Sequence, residues 1–176
     1  CANVEALLSR FTPLGGYNNA GKSNILTSLS WLLRGKLLSE SDFFDAGEEI
    51  SVEGLIEGIT EDTLLRLHDN HRLRIQERLN GEALLIRRSQ PADATKKSDV
   101  KFEVYNPQTD SFGPPPNGLE AGISKLFPEP IRVGAMENAA EDATKAKTSS
   151  TIGKLLNELS QGVQAAHHQE IEEHLE

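Results

Sequence analysis

One stretch of the sequence, GYNNAGKSN at residues 16–24, has residue types and spacing suited to binding phosphate. It fits the phosphate-loop template G-x-x-x-x-G-K-[ST] at every fixed position. In such a loop, successive backbone N–H groups form a concave anion site, and the positive end of the following helix reinforces it. A lysine reaches the β and γ phosphates, and a hydroxyl binds Mg²⁺. The stretch therefore predicts a nucleotide-binding loop.

The residues of this loop have separate predicted parts. Gly16 and Gly21 permit conformations and a close approach that a Cβ would forbid. Lys22 is the predicted phosphate ligand, and Ser23 is the predicted Mg²⁺ ligand. The predicted cofactors are ATP and Mg²⁺, and the predicted nucleotide-binding residues are Gly16, Asn18, Asn19, Ala20, Gly21, Lys22, Ser23 and Asn24. The alternative, a turn that caps a helix, does not account for the Lys-Ser pair.

The elements before and after the loop must set its orientation. KSNILTSLSWLLR (22–34) has apolar residues at helical spacing and is followed by Gly35, which predicts a helix that begins where the loop ends. A phosphate loop also needs a buried strand before it. FTPLGG (11–16) precedes this one, so either the supporting strand is very short or the sequence lacks residues at this point.

The middle of the chain changes to a period of two, which predicts an antiparallel sheet with one solvated face. Asn80-Gly81 is a strong hairpin signal because both residues tolerate positive φ. The predicted strands are 50–59, 72–79, 83–88 and 99–105, with polar loops at 89–99 and 109–118. Further along, the pattern predicts a helix at 118–126, a strand at 131–136, a polar loop or a weak helix start at 137–151, and helical character at 151–175.

The doubled asparagine of the loop, written Asn-Asn-Ala-Gly-Lys-Ser-Asn, resembles the N-terminal ATPase lobe of the OLD (overcoming lysogenization defect) family. That family belongs to the ABC-type ATPases, with RecF and the SMC proteins. SDFFD (41–45) is similar to its Asp-Phe-Phe segment, and residues 128–156 are similar to its strand and Lys/Thr/Ser-rich loop. The resemblance implies an α/β fold of the P-loop NTPase type, with an antiparallel β subdomain and flanking helices.

The same resemblance implies one ATPase lobe over residues 1–176. Its parts would be the loop and first helix (1–48), the β subdomain (49–110), and a strand, polar loop and C-terminal helix (111–176). The strand at 131–136 would lead to the equivalent of the Q-loop, which senses the γ-phosphate. No glutamine stands there, and Glu137 and Asn138 are the nearest polar candidates. Gln76 and Gln90 are predicted to be surface residues.

The remaining catalytic groups of an ABC-type ATPase are not found in the sequence. No apolar run ends in the paired acids of a Walker B strand, and Ser-Gln-Gly at 160–162 is a poor signature motif. The catalytic residues are therefore unknown, and hydrolysis by this chain alone is not expected. The resemblance implies three partners: a C-terminal lobe with Walker B, a second copy in a homodimer, and DNA through the full protein, in repair or phage defence.

Two other functions are alternatives to this one. A regulatory or assembly module could bind nucleotide without hydrolysing it, or could bind none. A stand-alone P-loop kinase or GTPase would need an acceptor site or an Asn-Lys-x-Asp base reader, and the sequence has neither.

Two clusters near the C-terminus each have a functional interpretation and a purely structural one. His167, Glu170 and His174 could share a helix face as metal ligands, but their polar neighbours favour a solvated face. Lys145, Lys147 and Lys154 accompany several hydroxyl residues and could contact DNA phosphate or a neighbouring subunit, against an ordinary loop.

Composition limits the remaining classes. A chain of 176 residues suits one domain. A formal net charge of −9 argues weakly against direct DNA binding. The apolar runs are too short to cross a membrane. The single cysteine, Cys1, cannot form an intrachain disulfide, which predicts a cytoplasmic protein.

Overall fold

Four α-helices and four strands make up the part of the chain that the computed structural model describes, residues 3–127. The strands are β1 (Ile50–Ile56), β2 (Leu84–Gln90), β3 (Lys101–Asn106) and β4 (Ser111–Gly113). The α-helices are α1 (Lys22–Arg34), α2 (Glu61–Leu65), α3 (Asp69–Gln76) and α4 (Leu119–Leu126), and two 3-10 turns lie at Glu40–Asp42 and Lys97–Asp99. The fold is therefore of the α/β class, with a four-stranded sheet and flanking helices.

The sheet is antiparallel throughout and follows chain order, β1-β2-β3-β4. Side chains alternate between its faces, because successive residues of a strand point in opposite directions. On β2 the buried face carries Leu84, Ile86, Arg88 and Gln90. The opposite face carries Arg87, which pairs with Glu53 of β1 at 2.7 Å. One face therefore builds the core, as the sequence pattern predicts.

Residues from the sheet and from all four helices form the hydrophobic core. Its buried members are Leu32, Leu33, Ile59, Leu64, Leu67, Ile75, Leu84, Ile86, Val104, Leu119 and Ile123. Helix α1 approaches the sheet closely at Gly54, where a Cβ would lie 2.5 Å from Cδ2 of Leu32. A glycine on β1 therefore lets the helix that follows the phosphate loop pack against the sheet.

Several elements confirm the predictions from the pattern. Helix α1 has the predicted bounds, and Gly35 ends it with a φ of 55°. Strands β1, β2 and β3 and helix α4 also lie where they were expected. Two short elements were missed: α2, which Thr60 caps by accepting a hydrogen bond from the Thr63 N–H, and the three-residue β4. Elements of three to five residues are too short to show a period.

The predicted strand at 72–79 was wrong, because most of it belongs to helix α3. Two ion pairs join residues three apart, Arg72 to Asp69 at 2.8 Å and Arg74 to Glu77 at 3.1 Å, a spacing that brings side chains together on a helix. The Asn80-Gly81 turn does form, with Gly81 at a φ of 63°, but it joins α3 to β2 rather than two strands.

Substitutions at Leu73 and Ile75 distinguish the helix from the strand. On a strand the two side chains would share a face, whereas on α3 Ile75 is 0% exposed and Leu73 is 54% exposed. We expect Ile75→Ala to lower the free energy of unfolding by about 3 kcal/mol. The matched variant Leu73→Ala should lower it by less than about 1 kcal/mol. Urea unfolding of both variants tests this, and equal losses would contradict the helix.

Several predictions fall on residues 128–176, outside the described residues. They concern the strand at 131–136, the polar loop at 137–151 and the helix at 151–175, together with the candidate residues Glu137, Asn138, Lys145, Lys147, Lys154, His167, Glu170 and His174. Within residues 3–127, no helix is both long enough and apolar enough to cross a bilayer.

Candidate phosphate-binding loop

Both glycines of the motif take positive φ angles, which a side chain would disfavour. Gly16 has a φ of 150° and Gly21 a φ of 85°. Between them, the Ala20 N–H donates to the Tyr17 carbonyl at 3.2 Å, which closes a turn around the two asparagines. Asn19 takes a φ of 63°, a left-handed conformation that asparagine tolerates better than most residues. Asn19 and the two glycines therefore shape the loop locally.

The N-terminal end of α1 is open to an anion. Its N-cap is Gly21, with no side-chain cap and no acidic residue in the first turn. The other three helices each carry an acid in the first turn, on α2, α3 and α4 within the described residues. Because the first N–H groups of a helix have no intrahelical partner and the dipole is positive there, this end favours a bound anion.

Lys22 folds back across the loop. Its Nζ donates to the carbonyls of Gly16 and Tyr17, each at 2.8 Å. An ammonium group has three N–H donors, so these two bonds leave one for a phosphate oxygen. The loop's own backbone therefore holds the Lys22 ammonium in place.

The structure brings the other predicted site residues to the same place. Asn18, Asn19 and Ala20 are exposed on the turn, and Ser23 and Asn24 are exposed on the first turn of α1. The Asn24 N–H donates to the Gly21 carbonyl at 3.0 Å, which starts the helix. A Cβ on Gly16 would lie 3.2 Å from the Cβ of Ala20, so the start of the loop also benefits from a glycine.

A strand before the loop is not seen among the described residues. Residues 3–15 carry no strand, and β1 begins only at Ile50. Ser9 and Thr12 form a local turn there, with the Ser9 N–H donating to Thr12 Oγ1 at 2.8 Å. The helix half of the strand–loop–helix unit is therefore present in the described part, and the strand half is not.

Two arginines that the sequence did not single out hold the other end of α1. Arg34 donates from Nη1 to the Ser124 carbonyl at 2.9 Å, and also to the Phe127 carbonyl. Arg88 donates from Nε to the Leu32 carbonyl at 2.9 Å. The alternation of β2 could have indicated Arg88, since it shares a face with Leu84 and Ile86.

The prediction that Gln90 lies at the surface was wrong. Gln90 is 1% exposed, and its amide accepts from the Leu38 N–H at 2.8 Å and donates to the Leu38 carbonyl at 3.0 Å. It ties the segment after α1 to the end of β2. Gln76 is exposed on α3, as predicted for a surface residue, although on a helix.

The SDFFD segment at 41–45 is engaged in local structure. Asp42 accepts hydrogen bonds from the backbone N–H and the hydroxyl of Ser39, each at 2.9 Å. The backbone bond is the larger cause, and together the two bonds lower the pKa of the Asp42 carboxyl. Phe44 is 79% exposed beside it. These contacts make Asp42 a turn-stabilising residue.

A preformed metal cluster is not seen in residues 3–127, where no three His, Cys, Asp or Glu side chains come together.

The chain is similar to the Old nuclease of Escherichia phage P2. The two are 40% identical over 176 residues, which cover 99% of this chain and 30% of the relative. The chain thus spans about a third of the length of the curated relative that it matches. No family model matches the chain, and no solved structure matches it. The similarity covers almost every residue of this chain.

Proposed function

We propose that this chain is the ATP-binding lobe of an OLD-family protein and binds Mg·ATP through residues 16–24. The observation that carries the proposal is the Lys22 ammonium, which two loop carbonyls hold at 2.8 Å. The resemblance to the Old nuclease supports it independently, because it extends over the whole lobe.

The phosphates of ATP fit the charges that the loop presents. The first-turn N–H groups of α1 and its positive dipole end would receive the phosphate oxygens, as at other helix N-termini. Lys22 would donate its remaining N–H to the β and γ phosphates. The lack of a carboxylate in the first turn of α1 removes the charge that would repel them.

Ser23 would hold the Mg²⁺ that accompanies ATP. It lies one residue after Lys22 on the first turn of α1 and is exposed. When bound, Mg²⁺ neutralises charge on the phosphates and orients them. Ser23 would contribute its hydroxyl oxygen, which is a hard ligand suited to Mg²⁺.

The rest of the proposed activity belongs to a longer protein. Phosphoryl transfer depends on positioning and charge stabilisation by several groups. The sequence offers no Walker B pair and no convincing signature motif, so this lobe would bind ATP and need a C-terminal lobe and a second copy to cleave it. Coupling to DNA processing, in a cytoplasmic homodimer, is the corresponding proposal for the whole protein.

Calorimetry on the 176-residue chain tests the proposal. Mg·ATP and inorganic tripolyphosphate with Mg²⁺ should both bind, because the loop recognises phosphates, and AMP should bind at least tenfold more weakly. The same samples should release little phosphate over hours. If neither ATP nor tripolyphosphate gave a measurable heat of binding, the result would contradict an ATP site in this chain. Rapid turnover would contradict the claim that the lobe is incomplete.

A further inference from the structure

Helix α1 packs against the rest of the described structure mainly at its C-terminal end, opposite the phosphate loop. Trp31, Leu32 and Leu33, near the C-terminal end of α1, are its buried residues, whereas Leu26 and Leu29 nearer the loop are 54% and 38% exposed. Within residues 3–127, the packing that orients α1 is therefore concentrated in its last turn. Helix α1 has 13 residues and is therefore about 20 Å long. A change in its orientation at the last turn would displace the loop at its other end.

Arg34 joins this last turn to the C-terminal end of α4. Its guanidinium donates to the Ser124 and Phe127 carbonyls. The last carbonyls of a helix have no intrahelical donors, and the helix dipole is negative there. A cation from a neighbouring helix can therefore donate hydrogen bonds to these carbonyls and also interact favourably with the dipole. Arg34 thus fixes where α1 ends relative to where α4 ends.

Arg88 joins the same turn to the N-terminal end of α4. It is 3% exposed, donates from Nε to the Leu32 carbonyl at 2.9 Å, and donates from Nη2 to Glu120 Oε1 at 2.7 Å. Its guanidinium also lies 4.6 Å from the centre of the Phe102 ring. A buried guanidinium needs all these partners, since an unpaired buried charge is costly.

We propose that Arg34 and Arg88 are positioning residues for the phosphate loop. They form an arginine clamp, defined here as these two side chains and their partners on α1 and α4, and the clamp sets the direction in which α1 aims its first-turn N–H groups. The inference rests on the proposed nucleotide site, and it assigns nucleotide affinity to two residues about 20 Å from the phosphates.

The clamped turn also contains a spectroscopic reporter. Trp31, the sole tryptophan of the sequence, lies in the clamped turn, with Nε1 donating to the Lys36 carbonyl at 2.8 Å.

The test compares Arg34→Met and Arg88→Met with Val104→Ala in the 176-residue chain. Val104 is a buried residue of β3, 1% exposed, and serves as the control for general loss of stability. At a temperature where all variants are folded, each clamp variant should bind Mg·ATP about tenfold more weakly than wild type. Val104→Ala should bind within twofold of wild type. Arg34→Lys, which restores one donor, should recover part of the affinity.

A second measurement separates this inference from the nucleotide site itself. Hydrogen exchange in the nucleotide-free chain should be about tenfold faster in Arg34→Met at the Asn24 and Ile25 N–H groups, which donate to the Gly21 carbonyl, with no change there in Val104→Ala. On addition of Mg·ATP, Trp31 emission should shift in wild type and not in Arg34→Met. Clamp variants that match Val104→Ala in affinity or in exchange would overturn the inference. Absence of ATP binding by wild type would instead remove the proposed function, and exchange would still decide whether the clamp positions the loop. If Arg88→Met does not fold, Arg34→Met alone decides.

Discussion

Lys22→Ala is expected to weaken Mg·ATP binding about 100-fold, which corresponds to about 2.7 kcal/mol. The substitution removes the charge-assisted bond to the phosphates and also the ammonium that bridges the Gly16 and Tyr17 carbonyls. Calorimetry with Mg·ATP and with tripolyphosphate measures the loss. The thermal midpoint should hardly change, because Lys22 is a partly exposed first-turn residue and alanine is a good helix former.

Two control variants make this result specific. Lys101→Ala removes an equal charge from an exposed site on β3, and it should bind ATP as wild type does. Lys22→Arg keeps the charge but replaces a compact ammonium with a planar fork, which cannot reproduce two carbonyl bonds and a phosphate bond in the same space. It should therefore lose most of the affinity. Equal binding by wild type and Lys22→Ala would contradict the assignment of Lys22.

The conformation of residues 16–22 depends on local determinants that can be recognised in the sequence. Gly16, Gly21 and Asn19 each supply a conformation through their own residue type, and Lys22 reaches carbonyls only five and six residues away. Helix α1 was predictable for the same reason, since a 3.6-residue period over 13 residues leaves little ambiguity. The orientation of α1 was not predictable, because Arg34 at its end bonds to carbonyls 90 and 93 residues away in the chain.

The errors arose where a short pattern fits two periods. Leu73, Ile75 and Leu79 alternate as a strand would, yet Ile75 packs beside Gly122 of α4, and a helix results. A Cβ on Gly122 would lie 3.1 Å from Ile75 Cδ1, so this packing depends on a residue 47 positions later. Gln90 was misplaced for a similar reason, since its partner Leu38 lies 52 residues earlier. Tertiary contacts override local propensity in both cases.

Gly35→Ala is expected to lower the free energy of unfolding by roughly 3 kcal/mol. Gly35 ends α1 with a φ of 55°, and a Cβ there would lie 2.1 Å from Nη1 and 2.6 Å from Cζ of Arg88. Part of the cost is the left-handed conformation, which a side chain disfavours. The larger part is displacement of Arg88, because its bonds to Leu32 and Glu120 leave this buried guanidinium little freedom to move.

Gly58→Ala isolates the conformational part of that cost. Gly58 has a φ of 76°, and a Cβ there would meet nothing within 4 Å, so the substitution adds strain without a clash. We expect it to lower the free energy of unfolding by only about 1 kcal/mol. Urea unfolding of both variants gives the difference, which measures how firmly Arg88 is held. Equal losses would show that Arg88 moves aside freely, and a freely moving Arg88 could not aim the phosphate loop.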